Sequence, residues 1–174
     1  MQIQTVGIVG AGTMGNGIAQ ACAVAGLKAV MVDISEAAVA KGVATIGKSL
    51  DRLVSKEKIT EADKAAALAR VKGSTNYDDL KAADLVIEAA TENHPIKIKI
   101  LQQLDQLLAP EVILASNTST LDVNAIAHFT QRPQDVVGLH FFSPANVMKL
   151  LEVVRGADTA KDVMATVMSV AKKI

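Results

Sequence analysis

The chain has 174 residues and a mass of 18.2 kDa, which is enough for one well-packed domain. Eighteen basic side chains balance eighteen acidic ones and aromatic residues are few, so the composition predicts no surface for nucleic acid or an anionic membrane. One cysteine, Cys22, rules out an internal disulfide framework and a cysteine-based zinc site, and no metal site is predicted.

Short apolar runs alternate with alanine-rich helical stretches along the chain. Six runs that are apolar on both faces are predicted as buried strands: Val6–Val9, Ala29–Val32, Leu85–Ala89, Val112–Ala115, Val136–Leu139 and Leu150–Val154. Five stretches are predicted as helices: Met14–Ala25, Glu36–Leu53, Glu61–Arg70, Ile96–Leu108 and Thr159–Lys173. The order β-α-β-α-α-β-α-β-α-β-β-α predicts an α/β fold of the Rossmann type. Residues 1–174 would then form a single doubly wound, mostly parallel sheet with helices on both faces.

Helix ends carry their own signals. Ser35 and Thr60 are predicted as N-caps, and Asp63 lies in the first turn after Thr60, where the helix dipole favours a carboxylate. In Ile96–Leu108 the first isoleucines alternate with lysines as in a strand, but the longer apolar set follows helical spacing. Pro95 suits the first turn of a helix, so a helix is predicted there.

A glycine-rich segment, Gly10-Ala11-Gly12-Thr13-Met14-Gly15, stands directly between the first predicted strand and the first predicted helix. In this context Gly10 would allow a tight turn, Gly12 would let the backbone approach a pyrophosphate, and Gly15 would let helix and strand pack closely. The N-terminus of the helix would present free N–H groups to the phosphates. The pattern therefore predicts a dinucleotide site.

An acidic residue follows the second predicted strand. Asp33 lies eighteen residues after Gly15, where a carboxylate would hydrogen-bond a ribose diol. That carboxylate would repel the additional phosphate of NADP, and Ile34 behind it supplies no compensating arginine. NAD is the predicted cofactor. A glycine-rich turn followed by a surface aspartate is the alternative that the pattern leaves open.

One histidine stands where a ligand would be expected. His140 follows the run Val136–Leu139, and ligands of open α/β sheets bind beyond the carboxyl ends of the strands. Glu152 is the only carboxylate in the apolar run Leu150–Val154, and burying it would be costly without a partner. The two are predicted to pair, with Glu152 stabilising the imidazolium and fixing its tautomer. A core histidine beside an edge-strand glutamate is the alternative.

Other polar positions are less specific. Glu88 ends an apolar run like Glu152 but has no partner that the local sequence identifies, and Asn117-Thr118-Ser119-Thr120 closes another run. Those amide and hydroxyl groups could position a substrate oxygen, or could simply form a cap or a turn. His94, at a predicted helix start, and His128, in a polar stretch, are expected to have no catalytic role.

Four blocks of sequence stand in the order and at the spacing of one known family. They are Val6–Gly15, Glu88-Ala89-Ala90-Thr91-Glu92-Asn93, Ser116-Asn117-Thr118-Ser119, and Gly138–Ala145 continuing to Met148–Val154. Over essentially its whole length the chain resembles the L-3-hydroxyacyl-CoA dehydrogenases of fatty-acid β-oxidation. The resemblance implies reversible oxidation of a (3S)-3-hydroxyacyl-CoA to the 3-ketoacyl-CoA by NAD⁺.

The resemblance also implies roles for individual residues. His140 would be the catalytic base, Glu152 its orienting carboxylate, and Ser119 the side chain that holds the substrate oxygen. The cofactor positions are Gly10, Gly12, Thr13, Met14, Gly15, Asp33, Ile34, Ala90, Glu92, Lys97, Asn117, Ser119 and Ser143. The coenzyme A substrate would meet Ser49, Lys56, Asn117 and Ser119.

Two of these assignments depart from the family pattern or have rivals. Ser143 stands where single-function members usually carry asparagine, and the Ser-Pro-Ala sequence is more like the dehydrogenase part of multifunctional enzymes. Lys48 or Lys58 could replace Lys56 near the phosphates of coenzyme A.

The family continues into a helical domain that completes the substrate pocket, and this domain is not among the 174 residues. The chain is therefore expected to be the isolated NAD-binding domain, with an open apolar face that favours self-association. Two alternatives remain: an NAD-binding module with little turnover, and a Rossmann dehydrogenase for a hydroxy acid without coenzyme A. No apolar run reaches the roughly 18 residues of a membrane span and no basic segment precedes the first run, so a cytoplasmic location without a signal peptide is expected.

Overall fold

The computed structural model describes residues 1–174, and a seven-stranded sheet forms its centre. The strands are Thr5–Val9 (β1), Lys28–Val32 (β2), Val71–Ser74 (β3), Leu85–Glu88 (β4), Ile113–Ser116 (β5), Val136–Phe141 (β6) and Leu151–Arg155 (β7). They lie in the order β3-β2-β1-β4-β5-β6-β7, and only the pair of β6 and β7 is antiparallel. The predicted fold class is confirmed.

Six helices accompany the strands. They are Thr13–Val24 (α1), Glu36–Ser55 (α2), Glu61–Ala69 (α3), His94–Leu107 (α4), Val123–His128 (α5) and Lys161–Lys173 (α6), with short 3-10 turns at Tyr77–Ala82 and Pro133–Asp135. The six predicted strands and five predicted helices all agree with these bounds to within two residues. Helix α5 was expected from the element order but not located. No helix is both long enough and apolar enough to cross a bilayer.

The predicted helix caps are confirmed. The side chain of Ser35 accepts a hydrogen bond from the backbone of Ala38 at 3.2 Å. Thr60 and Asp63 form a reciprocal capping box, in which each side chain accepts from the other residue's backbone N–H at 3.0 Å.

Two apolar clusters cover the two faces of the sheet, because successive strand residues point to opposite sides. One cluster joins β1 to helices α1, α2 and α6 through residues such as Ile8, Ile18 and Val167. The other joins the central strands to α4 and α5 through residues such as Leu101 and Ile126. Both faces of the central strands are therefore buried, as their continuous apolar runs indicated.

Strand β3 was not predicted. It contains one apolar side chain, Val71, and it lies at the edge of the sheet with β2 as its only neighbour. Helix α2 crosses it closely: a Cβ on Gly73 would come within 2.5 Å of Val39. Backbone pairing with β2 and this close packing, rather than an apolar pattern, place the segment in the sheet.

The sheet order sets the position of the functional site. From β1 the chain runs outward to β2 and β3, then returns to β4 on the other side of β1 and continues to β5 and β6. The connections after β1 and β4 therefore leave in opposite directions. A crevice forms beyond the carboxyl ends of strands at such a switch point, which is where open α/β sheets bind ligands.

Candidate active site

A crevice of about 710 Å³ opens at this switch point. Its walls include the residues that follow β1 and β2, the segment 75–78, and one face of α4 from Ile96 to Leu107. Both Asp33 and Ala90, two of the predicted cofactor positions, line it. The crevice is mixed in character, with apolar side chains from α4 facing polar groups at the strand ends.

The glycine segment forms a tight loop that only small residues can make. Gly10 has a φ of 108°, and a Cβ on it would lie 2.7 Å from the carbonyl oxygen of Ala89. A Cβ on Gly15 would lie 1.8 Å from the carbonyl oxygen of Gly10, so helix α1 packs directly on the loop. By contrast, a Cβ on Gly12 would meet no atom within 4 Å. Gly12 therefore faces open space from which a ligand can approach the backbone.

The N-terminus of α1 has no side-chain cap. Gly12 is the N-cap residue, and no acidic residue stands in the first turn. The first N–H groups of a helix have no partner within the helix, and they carry its positive partial charge. Thr13 is exposed and Met14 half-buried at this position. A pyrophosphate fits this arrangement, because its oxygens would supply the missing acceptors.

Asp33 holds the glycine loop as well as lining the crevice. Its Oδ2 accepts a hydrogen bond from the backbone N–H of Ala11 at 2.9 Å, and its Oδ1 accepts from Ser35 at 3.3 Å. Beside it, Ile34 is 90% exposed. Burial raises the pKa of Tyr77 in the facing wall, and the charges of Asp33 and Glu88 raise it further. The phenol therefore stays neutral and can donate a hydrogen bond.

Glu88, for which the sequence offered no partner, is buried in an ion pair with Lys97. The ammonium of Lys97 contacts Oε1 of Glu88, and Ser116 contacts both of them. Lys97 was predicted as a cofactor contact; its side chain is 1% exposed, and it is not among the residues that line the crevice. The reason is that α4 packs this face of the helix against the ends of β4 and β5.

The predicted contact Glu92 bridges two loops. Its Oε2 accepts hydrogen bonds from the hydroxyls of Thr118 at 3.0 Å and Thr120 at 3.2 Å. These two threonines flank Ser119, whose side chain is exposed. The loop after β4 is therefore tied to the loop after β5 on both sides of Ser119.

The end of β5 is also tied to β6. Oδ1 of Asn117 accepts a hydrogen bond from the backbone N–H of Phe141 at 2.8 Å. The structure thus brings Asn117 and Ser119 to the strand edge that carries His140. Ser143 follows in the next turn, where it is exposed.

His140 and Glu152 are paired, as predicted. They stand directly opposite each other in the antiparallel pair of β6 and β7, and 3.5 Å separates Nδ1 of His140 from Oε2 of Glu152. The ring of Phe142 packs on the imidazole with 4.5 Å between centroids. The expectation that Glu152 is buried was wrong: 54% of its side chain is exposed, because β7 is the edge strand.

The proposed substrate positions lie on α2. Ser49 lines a second hollow of about 520 Å³, together with Gly12, Thr13, Lys41 and Arg52. Its hydroxyl accepts hydrogen bonds from Gln20 and Asn146, each at 3.0 Å. Lys56, the C-cap residue of α2, does not line this hollow. It lies about 10 Å further along the helix axis than Ser49.

The two cations that do line this hollow were not singled out from the sequence. Lys41 and Arg52 occur on the same face of α2 as Ser49, at helical spacing. That helical spacing is the feature of the sequence from which the two cations could have been found.

The other histidines stand apart from the crevice: His94 packs edge-on against Phe129, and His128 pairs with Asp158 at 3.1 Å.

These features define a class of protein. An uncapped helix behind a glycine loop, an acidic residue after β2 and a crevice at the switch point are those of a Rossmann-type dinucleotide-binding domain. The family model described as 3-hydroxyacyl-CoA dehydrogenase, NAD binding domain, matches residues 5–174. The chain belongs to this family, and NAD as the cofactor is confirmed.

Several relatives support the assignment. The chain is 44% identical to a 3-hydroxybutyryl-CoA dehydrogenase of Bradyrhizobium diazoefficiens over 90% of its own length and 54% of the relative's. It is 38% identical to the fatty acid oxidation complex subunit alpha of Psychrobacter cryohalolentis, covering 99% of this chain and 24% of that one. Both a 3-hydroxybutyryl-CoA dehydrogenase and a subunit of a fatty acid oxidation complex therefore match.

A crystal structure agrees closely with the fold. The (S)-3-hydroxybutyryl-CoA dehydrogenase of Ralstonia eutropha is 61% identical, with a TM-score of 0.97 over 99% of this chain and 61% of that one. The chain thus spans 54% of the length of the Bradyrhizobium relative and 61% of the Ralstonia chain.

Proposed function

We propose that this chain is the NAD-binding half of an enzyme that reversibly oxidises (3S)-3-hydroxyacyl-CoA to 3-ketoacyl-CoA. The pairing of His140 with Glu152, beside the loop that carries Ser119, is the observation that carries the proposal. The substrate class is supported by the relatives, which include 3-hydroxybutyryl-CoA dehydrogenases and subunits of fatty acid oxidation complexes. Both directions of the reaction use the same groups.

The chain's own residues would supply the acid–base chemistry. With Nδ1 of His140 facing Glu152, Nε2 is left to accept the proton of the substrate hydroxyl. Glu152 would stabilise the imidazolium that forms, and the Ser119 hydroxyl would hold the substrate oxygen while it becomes a carbonyl. General-base assistance of this kind contributes typically about 10²–10⁴-fold to rate. NAD⁺, when bound, supplies the acceptor for the hydride from C3.

The remaining cofactor positions would hold and orient the dinucleotide. Gly10, Gly12 and Gly15 shape the loop that meets the pyrophosphate, and Asp33 would bind the adenosine ribose. Thr13, Met14, Ile34, Ala90 and Ser143 would complete the contacts. Asn117, already fixed by Phe141, would lie near the nicotinamide.

Coenzyme A would lie along α2. Ser49 at the hollow and Lys56 beyond it are the proposed contacts. Lys41 and Arg52 make no ion pair with an acidic residue, so the hollow presents positive charge to which a phosphate would be attracted. A cationic stripe on α2 favours a phosphate-bearing substrate over a simple hydroxy acid.

A second candidate function is an NAD-binding module that turns over slowly. It is favoured by the features that would hold the cofactor, because the glycine loop, Asp33 and the crevice are all formed by this chain's own residues. Turnover needs the substrate to be oriented as well, and orientation within a closed site can account for several kcal/mol of the barrier. We expect the 174 residues to bind NADH, and to reduce acetoacetyl-CoA at least about a hundredfold more slowly than a longer version.

The exposed face near β7 suggests self-association. Val147, Met148, Leu150 and Val154 are all substantially exposed. Exposed apolar side chains promote association where they form a patch. Light scattering of the purified chain tests this, and a monodisperse monomer at high concentration would contradict it.

For the cellular location we propose the cytoplasm, where Cys22 would remain a free thiol. Imaging of a tagged chain tests this location.

One assay separates the candidate functions. The purified chain is mixed with NADH and either acetoacetyl-CoA or a 3-keto acid that lacks coenzyme A. Oxidation of NADH with acetoacetyl-CoA supports the proposed enzyme, and binding of NADH without oxidation supports the module. Oxidation only with the free keto acid would overturn the substrate proposal, because the cationic hollow on α2 would then have no role.

A further inference from the structure

The strand that carries His140 extends beyond its neighbour on the interior side of the sheet. Residues 136–138 of β6 pair with β5, which ends at Ser116. The last three residues of β6, which are 139–141, pair with β7 alone, and β7 is the edge strand. The backbone around His140 is therefore held by a strand on one side only.

The side chain of Asn117 occupies the other side of this segment. Its Oδ1 accepts a hydrogen bond from the backbone N–H of Phe141 at 2.8 Å. Asn117 is half-buried and directly follows Ser116, the last residue of β5. Its carboxamide oxygen thus takes the place of the backbone carbonyl that a longer parallel strand would supply.

This bond also links the two halves of the proposed acid–base site. Asn117 lies two residues before Ser119, which would hold the substrate oxygen, and Phe141 directly follows His140. Of all the hydrogen bonds in the structure, it alone joins residues 117–122 to residues 139–143. The position of Ser119 relative to His140 therefore depends on this one contact.

The other hydrogen bonds of the Ser119 loop lead away from His140. Thr118 and Thr120 both donate to Glu92, which belongs to the loop after β4. Without Asn117 the Ser119 loop would remain attached on that side, and nothing would hold it against β6. The two sets of contacts fix the loop from opposite directions.

The carboxamide of Asn117 has a defined orientation. Because Oδ1 accepts from Phe141, the N–H₂ group is the end that remains available, and it makes no hydrogen bond within the protein. Asn117 therefore has two separable capacities. Its oxygen holds the end of β6, and its nitrogen could meet the cofactor or the substrate.

We propose that Asn117 is a positioning residue for the acid–base chemistry. By accepting from the Phe141 N–H, it sets the separation between the Ser119 hydroxyl and the imidazole of His140. Misplacement of a reacting group by about 1 Å can cost about a hundredfold in rate. The inference rests on the proposed function, in that His140 and Ser119 act on the same substrate oxygen.

Three variants separate positioning from direct contact. Asn117→Leu removes the acceptor at similar size, whereas Asn117→Asp keeps an oxygen that can accept from Phe141 but has no N–H₂ group to donate. Asn117→Ala also removes the acceptor, and it replaces the leucine variant if that variant does not fold. Ile113→Val, in the buried strand β5, is the control for lost packing with the Asn117 bond intact.

The first measurement is hydrogen exchange at the backbone amide of Phe141 in the absence of ligands. It is expressed relative to exchange at Val137, which lies in the same strand and pairs with both neighbours, so that a general loss of stability cancels. We expect Asn117→Leu to raise this ratio at least about tenfold. Asn117→Asp and Ile113→Val should leave it within about threefold of its value in the unmutated chain.

The second measurement is the rate of acetoacetyl-CoA reduction at saturating NADH, together with the dissociation constant for NADH. Each protein is assayed at its own pH optimum, because the aspartate adds a charge. We expect Asn117→Leu to lower the rate at least about tenfold, and to change the dissociation constant by a smaller factor. Asn117→Asp should be at least about tenfold faster than Asn117→Leu, and Ile113→Val should stay within about threefold of the unmutated chain.

Each outcome supports or overturns the inference. An unchanged rate in Asn117→Leu would overturn it, as would an aspartate variant that is equally slow while its Phe141 amide stays protected, since that result indicates direct contact through the N–H₂ group. An aspartate variant that loses both protection and rate would support it, because the contact and the chemistry fail together. Absence of NADH oxidation in the unmutated chain would instead overturn the proposed function, and it is recognised before any variant is compared.

Discussion

His140 and Glu152 face each other across the last two strands of the sheet, with 3.5 Å between Nδ1 and Oε2. Because the strands are antiparallel, the two residues are cross-strand neighbours whose separation is set by the backbone register. Glu152 is half-exposed on an edge strand, so water competes for its carboxylate. The register supplies the alignment that an exposed ion pair alone would not maintain.

Removing the charge of Glu152 should therefore affect chemistry more than binding. Glu152→Gln keeps the size of the side chain but no longer stabilises the imidazolium, so reduction of acetoacetyl-CoA should fall about tenfold to a hundredfold. The dissociation constant for NADH should stay within about twofold. Glu111→Gln, an exposed change before β5, is the matched control. An unaltered rate in Glu152→Gln would remove the pair from the reaction.

Cofactor choice should depend on Asp33. The unmutated chain should bind NADH more tightly than NADPH, because the carboxylate binds a ribose diol and repels a phosphate. Asp33→Ala should narrow the ratio of the two dissociation constants by about tenfold. Part of the loss of NADH affinity in this variant will come from a change in the glycine loop, since Asp33 also accepts a hydrogen bond from the Ala11 N–H. The control is Glu36→Gln, which removes the same charge nearby and should leave the ratio of the NADH and NADPH dissociation constants unchanged. Equal dissociation constants for the two cofactors in the unmutated chain would contradict the role given to Asp33.

Arg132 should be a major stabilising residue of the fold. Its guanidinium is buried, pairs with Asp105 at 2.7 Å, and donates to four carbonyl oxygens near the end of α4 and the start of β5. Arg132→Met would leave the Asp105 carboxylate with only the Gln131 N–H as a partner and would remove one donor from each of those carbonyls. The unfolding free energy in urea should fall by about 3–5 kcal/mol.

The comparison for Arg132 is an exposed ion pair. Lys81→Met removes the partner of Asp78, and a pair in that setting contributes at most about 1 kcal/mol. If Arg132→Met and Lys81→Met lower the unfolding free energy by the same small amount, the buried guanidinium of Arg132 is not a major stabilising group.

Cys22 should be inert in the folded chain. Burial raises the pKa of its thiol from 9.0 to about 12. At about pH 8 a thiol reagent should react only when the protein opens, far more slowly than with a free cysteine. Reaction at the rate of an exposed thiol would show that Cys22 is accessible.

The same shift predicts a dependence of stability on pH. Between pH 9.0 and about 12 the unfolded thiol loses its proton while the folded one keeps it, so the folded state is progressively disfavoured as pH rises. The contribution is fully present below pH 9.0 and falls by about 1.4 kcal/mol per pH unit above it. In Cys22→Ala this contribution to the slope should be absent, and identical pH profiles of the two proteins would contradict it.

Much of the sheet could be predicted because its central strands are buried on both faces, which leaves a continuous apolar run in the sequence. The edges were harder. Val71–Ser74 has no such run, and none of its four residues is fully buried. The run Leu150–Val154 suggested a buried Glu152, yet an apolar run on an edge strand does not guarantee burial.

The site was predictable where chain order determines it. Gly10–Gly15, Asp33 and His140 follow strands, and parallel strands bring their carboxyl ends to one edge. The partner of Glu88 was not predictable, because Lys97 reaches it only after α4 packs against β4 and β5. The bridging of Thr118 and Thr120 by Glu92 likewise depends on how two loops meet in space.

The rate of NADH oxidation by acetoacetyl-CoA, compared between the unmutated chain and His140→Gln at saturating NADH, tests the proposed chemistry most directly. Loss of nicotinamide absorbance should match formation of 3-hydroxybutyryl-CoA in the unmutated chain, however slowly it proceeds. In His140→Gln the rate should fall at least about a hundredfold while the dissociation constant for NADH is retained. Equal rates in the two proteins would show that His140 is not the acid–base residue, and that the strand-end site described here is not where the reaction occurs.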